Sequence, residues 1–416
     1  MSRETIVLGA GMVGVSIAWH LARRGRSVLL VDRRPPGQET SFGNGGLIQR
    51  EAVRPYPFPQ GLGKLLSVLP NRRVDIRYNL RGMLEAAGPL FGYWRHSMPR
   101  SHARIIPEYA SLIMLSTQEH EPMIEAADAG AMVRKEGWLE VYRSQAGLDS
   151  RRQEAREAAE RFGVTHEALD RQGLKQREPQ LSDRAIGAIH WTNSWAVEDP
   201  GGLVGAYARS FEREGGRFVQ SDIQDVSRNG QGWRVKTDGG VHEAQEVVVA
   251  LGPWAGDWMK RLGYRMPTFV KRGYHMHYAA DETRRLQYWL ADVEVGYILA
   301  PMRAGIRLTT GAELKPLDAP PHYGQLDAAE REGRRIYPAL GERLDPEPWK
   351  GARPCLSDMK PVIGPAPRHD GLWFAFGHGH QGFTLGPATG RVLAEMMEGE
   401  EPAVEMSPFR ADRFGS

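Results

Sequence analysis

The sequence predicts an α/β fold, and three observations predict it. A short apolar strand, Ile6–Leu8, opens the chain and runs straight into the glycine series Gly9, Gly11 and Gly14. A helix with Val15, Ala18, Leu21 and Ala22 as its apolar face follows, and then a second apolar strand, "SVLLVD". Far downstream, "EVVVALGPWA" is again a buried strand entering a glycine turn. Apolar strands alternating with helices are the mark of a sheet covered on both faces.

The first forty-eight residues carry the most specific signal. Gly9, Gly11 and Gly14, with Met12 and Val13 between them, form GxGxxG between a strand and a helix. The first glycine makes the tight turn, the second lets a pyrophosphate approach the backbone, and the third lets the helix lie close on the sheet. Gly25 suits the end of that helix. Asp32 ends the second strand eighteen residues after Gly14, followed by Arg33 and Arg34. An acid there accepts hydrogen bonds from both ribose hydroxyls and disfavours a 2′-phosphate. The chain therefore opens as a Rossmann-like dinucleotide-binding unit. The motif alone does not separate FAD from NAD.

Composition narrows the class. The 416 residues suffice for more than one domain, and 41% hydrophobic with 25% charged residues is a globular balance. A net charge of +3 is too small to imply a nucleic-acid partner. One cysteine, Cys355, excludes an intramolecular disulfide framework and a cysteine-rich metal cluster. No signal-peptide core precedes the first strand and no apolar run is long enough to cross a bilayer, so the cytoplasm is the expected location.

Later segments follow the same grammar. Asn229-Gly230 and Asp238-Gly239 are hairpin signals between strands. Residues 63–107 are rich in Lys64, Arg72, Arg73, Arg77, Arg81, Arg95, Arg100 and Arg104 against Asp75 and Glu85, interleaved with Phe91 and Trp94. Two readings stand: an amphipathic element resting on the inner, anionic face of the cell membrane, or a solvated helical face over a domain. "VKRGYHMHY", Val270–Tyr278, alternates as a strand, with Arg272, Tyr274, Met276 and Tyr278 on one face and Lys271, His275 and His277 on the other. "GHGHQGFTLGPATG" is a glycine loop feeding a helix, with Thr384 read as the cap and Pro387 in the first turn. No metal site is expected, because each H-x-H pair supplies only two ligands.

"ETSFGNGGLIQ", Glu39–Gln49, tips the cofactor to FAD. With this segment in its place after Asp32, nearly the whole chain resembles the D-amino-acid oxidase superfamily of FAD-dependent oxidoreductases. Within it the chain is most similar to the bacterial D-amino-acid dehydrogenases, the branch that includes D-hydroxyproline dehydrogenase-like members. The resemblance implies a discontinuous FAD-binding domain over 1–55, 198–262 and 345–416. It also implies a substrate domain on a mixed β-sheet over 56–197 and 263–344. It places Ser41 at the pyrophosphate or ribityl chain, Asn44, Gly45, Gly46 and Leu47 along the flavin edge, and Val226 at the adenine. Ala250 and Trp254 would lie beside the cofactor. Gly379, Gly382, Phe383 and Thr384 would face the ring with a helix N-terminus, whose partial positive charge suits a reduced flavin.

The resemblance further assigns Arg353 to the substrate carboxylate, for which a guanidinium fork is well shaped. Tyr274, then Tyr278, would help bind substrate, and His378 would line the pocket. FAD is expected non-covalently, since related enzymes attach it through a cysteine where this chain has Gly351. The implied reaction is oxidation of a D-amino acid, with D-proline or hydroxy-D-proline among the candidates, to the imino acid by hydride transfer to flavin N5. Electrons would pass to a quinone or another respiratory-chain acceptor, in amino-acid catabolism. Two alternatives remain: a sarcosine- or glycine-oxidase-like enzyme using oxygen, and a flavin-binding subunit of a larger dehydrogenase complex. Oligomeric state is left open.

Overall fold

A computed structural model of the chain describes residues 4–61, 63 and 69–415. One sheet has six strands in the order Arg217–Gln220, Ser27–Asp32, Glu4–Leu8, Glu246–Val249, Leu372–Phe376 and Val362–Pro365. The first five are parallel and the sixth is antiparallel. Period-two alternation divides their side chains between two cores. Val7, Leu30, Val248 and Ala375 pack under the helices Met12–Arg23, Pro200–Arg213 and Gly382–Glu398. Ile6, Leu8, Val247, Val249 and Phe374 pack under an antiparallel meander, Ile223–Asn229, Gly232–Thr237 and Gly240–Ala244. Both faces are covered, which is why the central strands are apolar in their middles.

Close backbone contacts set the geometry where the chain crosses the sheet end. A Cβ on Gly9, at φ +102°, would strike the Ala250 carbonyl, and one on Gly14 would strike the Gly9 carbonyl. Gly386 and Gly390 let the last helix cross the first against Met12 and Ser16. The N-termini of both helices therefore meet at one end of the sheet.

The second sheet has ten strands. Its centre is Thr268–Tyr278, antiparallel to Gly305–Thr310 and to Trp349–Leu356. The helix Gly324–Ile336 covers its far face, where Tyr274, Met276, Tyr278, Leu299 and Leu308 share one core. The expected domain boundary at 345 needs correction here. Trp349–Leu356 belongs by hydrogen bonding to the substrate-side sheet, because eight consecutive residues ladder onto Thr268–His275. A small third sheet joins Leu47–Ile48 to Trp195–Val197 and Val133–Arg134.

Within 63–107, Lys64 falls outside the described residues. The described residues of this segment include a short strand, Ile76–Tyr78, and helices Leu80–Glu85, Ala87–His96 and Pro99–Met114. Leu90 and Tyr93 pack inward on Phe269 and Cys355. Among the described residues no helix is long and apolar enough to cross a membrane.

Candidate active site

A cleft of about 630 Å³ lies between the two large sheets, at the end where the helix N-termini meet. That volume is typical of a small-molecule or cofactor site. Gly9, Gly11, Met12, Val13, Asp32 and Arg33 line one end. Ser41 accepts a hydrogen bond from the Met12 N–H at 3.0 Å, fastening the next segment to the first helix. Asp32 accepts from the Ala10 N–H at 2.6 Å and the Arg34 N–H at 3.1 Å. Burial raises its carboxyl above the ordinary value, an effect those two donors oppose. Ala250, Trp254, Asn44, Gly45 and Leu47 continue the wall, and Arg33 stacks on Trp254 at 4.3 Å.

At the other end the last helix begins at Gly382. Gly382 and Phe383 border the cleft. The expected Thr384 cap is not seen. Gln381 takes the cap position, while the Thr384 hydroxyl donates to the Leu47 carbonyl at 3.3 Å and accepts from the Gln49 N–H at 3.2 Å. Pro387 sits inside the helix rather than in its first turn. A proline there leaves the carbonyl four residues back unused, and His120 Nε2 engages that Phe383 carbonyl at 3.1 Å.

The floor of this end is the ladder between Thr268–Tyr278 and Trp349–Leu356. Directly opposite residues share a face, so Lys271 pairs with Arg353, Gly273 with Gly351 and His275 with Trp349. The Arg353 guanidinium lies over Gly273, where a Cβ would come within 2.7 Å of Nη1. Nη1 donates to the carbonyls of Arg272 and Gly311, and Nη2 to that of Thr310. Among the described residues this leaves Nε–H and one Nη2 proton without a protein partner. That side-on edge is the one that grips a carboxylate with two parallel bonds.

Three comparisons with known proteins bear on this cleft. Residues 4–396 match the family described as FAD dependent oxidoreductase. The chain belongs to that family. Over 98% of its length it is 28% identical to a D-amino acid dehydrogenase of Cereibacter sphaeroides, covering 95% of that protein. Over 99% it is 27% identical to a D-amino acid dehydrogenase of Bradyrhizobium diazoefficiens, covering 99% of it. Among solved structures it resembles glycine oxidase from Geobacillus kaustophilus, with TM-score 0.74, 20% identity and 99% coverage of each chain. L-proline dehydrogenase from P. horikoshii gives TM-score 0.76 at 19% identity, covering 100% of this chain and 98% of that one. At such identities the structural likeness is one of fold.

The cleft of this FAD-dependent oxidoreductase fits its cofactor. A Cβ on Gly11 would meet only the Ser41 hydroxyl, at 3.5 Å, so that wall is open to a pyrophosphate. Asp32 stands at the strand end, and Gly379, Gly382 and Phe383 present backbone.

Some of the residues expected at the cofactor do not border the cleft. Gly46 turns from the cleft towards the Val197 carbonyl and Trp289. Arg34 lines a neighbouring surface cavity rather than the cleft. Val226 is interior to the meander, and Asp222 and Ile223 border the cleft instead. The tyrosine assignment is corrected too. Tyr274 touches the cleft, yet its hydroxyl is 2.5 Å from Glu313 and bonded to Arg272, on the far face of the strand. The Tyr278 hydroxyl donates to Glu330 at 3.0 Å, under the covering helix. Burial raises both phenols.

The two histidines of the glycine loop diverge. His378 also borders the cleft, with its Nε2 3.0 Å from the Thr389 hydroxyl of the last helix, and burial holds it at about 3. His380 meets Tyr56 edge-on at 4.5 Å and lines the cleft. Burial, with the charges of Lys271 and Arg353, holds His380 at about 3, so its ring is neutral. Tyr56, 53% exposed, stands at the opening. Sequence reasoning passed over His380 and Lys271 as site residues, although the strand alternation had already put Lys271 on the face opposite Tyr274.

Proposed function

We propose that this enzyme oxidises the amino-bearing carbon of a D-amino acid. Supporting the reading are the two D-amino acid dehydrogenases matched along nearly the whole chain and, above all, the free side-on edge of Arg353 inside the cleft. Bound FAD supplies the two-electron acceptor for the substrate's Cα hydrogen, which leaves as hydride. Arg353 holds the carboxylate, and the three carbonyls behind it fix its plane, so the fork is oriented before substrate arrives. Neutral His380 accepts a hydrogen bond from the substrate amine, and Tyr56 covers the opening. The imino acid formed is hydrolysed to a 2-oxo acid and ammonia, or, from a cyclic substrate such as D-proline or hydroxy-D-proline, remains a pyrroline carboxylate.

Cys355 supports non-covalent FAD, because its thiol packs with Leu90, Tyr93 and Phe269 instead of lining the cleft. The acceptor is proposed to be a quinone or another carrier at a membrane surface, following the dehydrogenase relatives. Supporting a membrane contact, Leu69, Leu80, Leu84 and Phe91 are all more than 60% exposed, close in sequence to Arg72, Arg81, Arg95 and Arg100.

Anaerobic addition of a D-amino-acid panel, with both enantiomers of proline and hydroxyproline, tests the reaction. Flavin absorbance is expected to bleach with D-substrates, and Arg353→Ala to lower kcat/KM about 100-fold through loss of a charge-assisted pair. No bleaching by any amino acid, or an unchanged kcat/KM in the variant, would refute the assignment. Peroxide release in place of quinone-dye reduction would instead mark an oxygen-using oxidase.

A further inference from the structure

Lys271 and Arg353 are direct cross-strand neighbours on the floor of the cleft. Both are half-buried in the cleft wall, and no carboxylate lies against either among the described residues. The groups that act on Lys271 are Tyr93, Cys355 and Arg353, and the one that acts on Arg353 is Cys355. Cys355 contributes no anion, since burial pushes its thiol up. The Lys271 ammonium donates to the Tyr93 hydroxyl at 2.9 Å and lies 4.3 Å from that ring's centre. Arg353 rests on three carbonyls. These contacts orient the two cations but supply no negative charge.

The acids that border the cleft are engaged elsewhere. Asp32 is held by Ala10 and Arg34, Glu39 pairs with Arg33, Asp75 with Arg73 and Asp292 with Arg143. Asp222 follows Ser221, whose N–H donates to the Asp32 carbonyl, at the dinucleotide end. Two adjacent half-buried cations without a counter-ion repel each other, and a ligand that brings negative charge relieves the repulsion. One substrate carboxylate answers one of them.

Resting on the amino-acid reading above, we propose that the substrate carries a second acidic group, an amino- or imino-dicarboxylate, with Arg353 taking the carboxylate beside the reacting carbon and Lys271 the other. Opposed residues of an antiparallel ladder stand about 5 Å apart at their Cβ atoms, a spacing that two carboxylates of one small diacid span. The same pair of cations opposes an ammonium and so favours the neutral amine that hydride loss requires.

The test uses the holoenzyme. Anaerobic kcat/KM is measured for D-aspartate and D-glutamate against D-alanine and D-proline, in the wild type and in Lys271→Gln. Perturbation of the flavin spectrum by glutarate, which cannot react, is titrated in parallel. The expected result is preference for the acidic substrates, a fall of roughly 30-fold in that preference in Lys271→Gln, and weaker glutarate binding by the variant. Wild-type preference for neutral substrates, an equal loss on both classes, or glutarate binding unaffected by the substitution would overturn the second-carboxylate site while leaving D-amino-acid oxidation standing. Bleaching only by D-amino acids outside these four would likewise overturn the second-carboxylate site, and bleaching by no member of the full panel would refute the parent reading itself.

Discussion

Among single residues, Arg353 was legible because a lone arginine in "GARPCL" stood where the resemblance places a carboxylate grip. His380 was not legible. His378 and His380 differ by two positions in a loop of no fixed period, and the turn at Gly379, φ +59°, sends one ring to Thr389 and the other to Tyr56. Glu51 is a third case. It is buried, accepts from Ser194 at 2.5 Å and from Gln49 at 2.8 Å, and burial raises it from 4.5 to about 7. A carboxyl raised on folding stabilises the fold below its unfolded value, and that contribution is lost as pH rises through the folded value. Stability is therefore expected to fall from about pH 4.5 to about 7, by roughly 3 kcal/mol for this group at 1.36 kcal/mol per unit. Glu51→Gln, which keeps an acceptor for Gln49 and can donate to Ser194, is expected to flatten that slope in denaturant melts at pH 5 and pH 8. An unchanged slope would place the titration elsewhere.

Elements were read more reliably than their orientation. The alternation in "VKRGYHMHY" is real, but period two says only that there are two faces. The face bearing Tyr274 and Tyr278 went under the Gly324–Ile336 helix, and the one bearing Lys271 and His275 met Trp349–Leu356 across the cleft floor. Pro387 misled in a similar way. Its usual place is a first turn, and the interior site is tolerated because His120 takes the carbonyl it frees. The glycine motif can be tested on its own. Gly11→Leu builds its Cβ into open space beside Ser41, so the chain is expected to fold and to lose flavin. The readouts are an unchanged far-UV circular dichroism spectrum and at least a tenfold lower flavin-to-protein absorbance ratio, about 1.4 kcal/mol or more of binding. Full flavin occupancy in this variant would mean the pyrophosphate does not pass Gly11.

Over the whole molecule, the net charge of +3 conceals an uneven surface. The outer side of residues 69–100 sets exposed Leu69, Leu80, Leu84 and Phe91 among arginines, while Leu90 and Tyr93 face inward. The segment thus packs on Phe269 and Cys355 and keeps an apolar, basic exterior, on which the proposed membrane contact can be tested. Cosedimentation with vesicles containing phosphatidylglycerol is expected, weakening several-fold between low salt and 0.5 M salt as charges are screened. Equal binding to neutral phosphatidylcholine, or none to either, would remove the membrane contact.

The sequence alone determined the dinucleotide end, because GxGxxG, Asp32 and their flanking strands are local in the chain and each needs only its neighbours to be read. It also carried the cofactor class, through the family resemblance that the segment following that motif bears. The meeting of the residues proposed for the substrate end was decided only by tertiary structure. Arg353, Lys271, His380 and Tyr56 come from four separated stretches, and their meeting depends on which strand ladders onto which and which face each helix covers. The pairing of Lys271 with Arg353 is a matter of register between strands about eighty residues apart, and no local pattern encodes it.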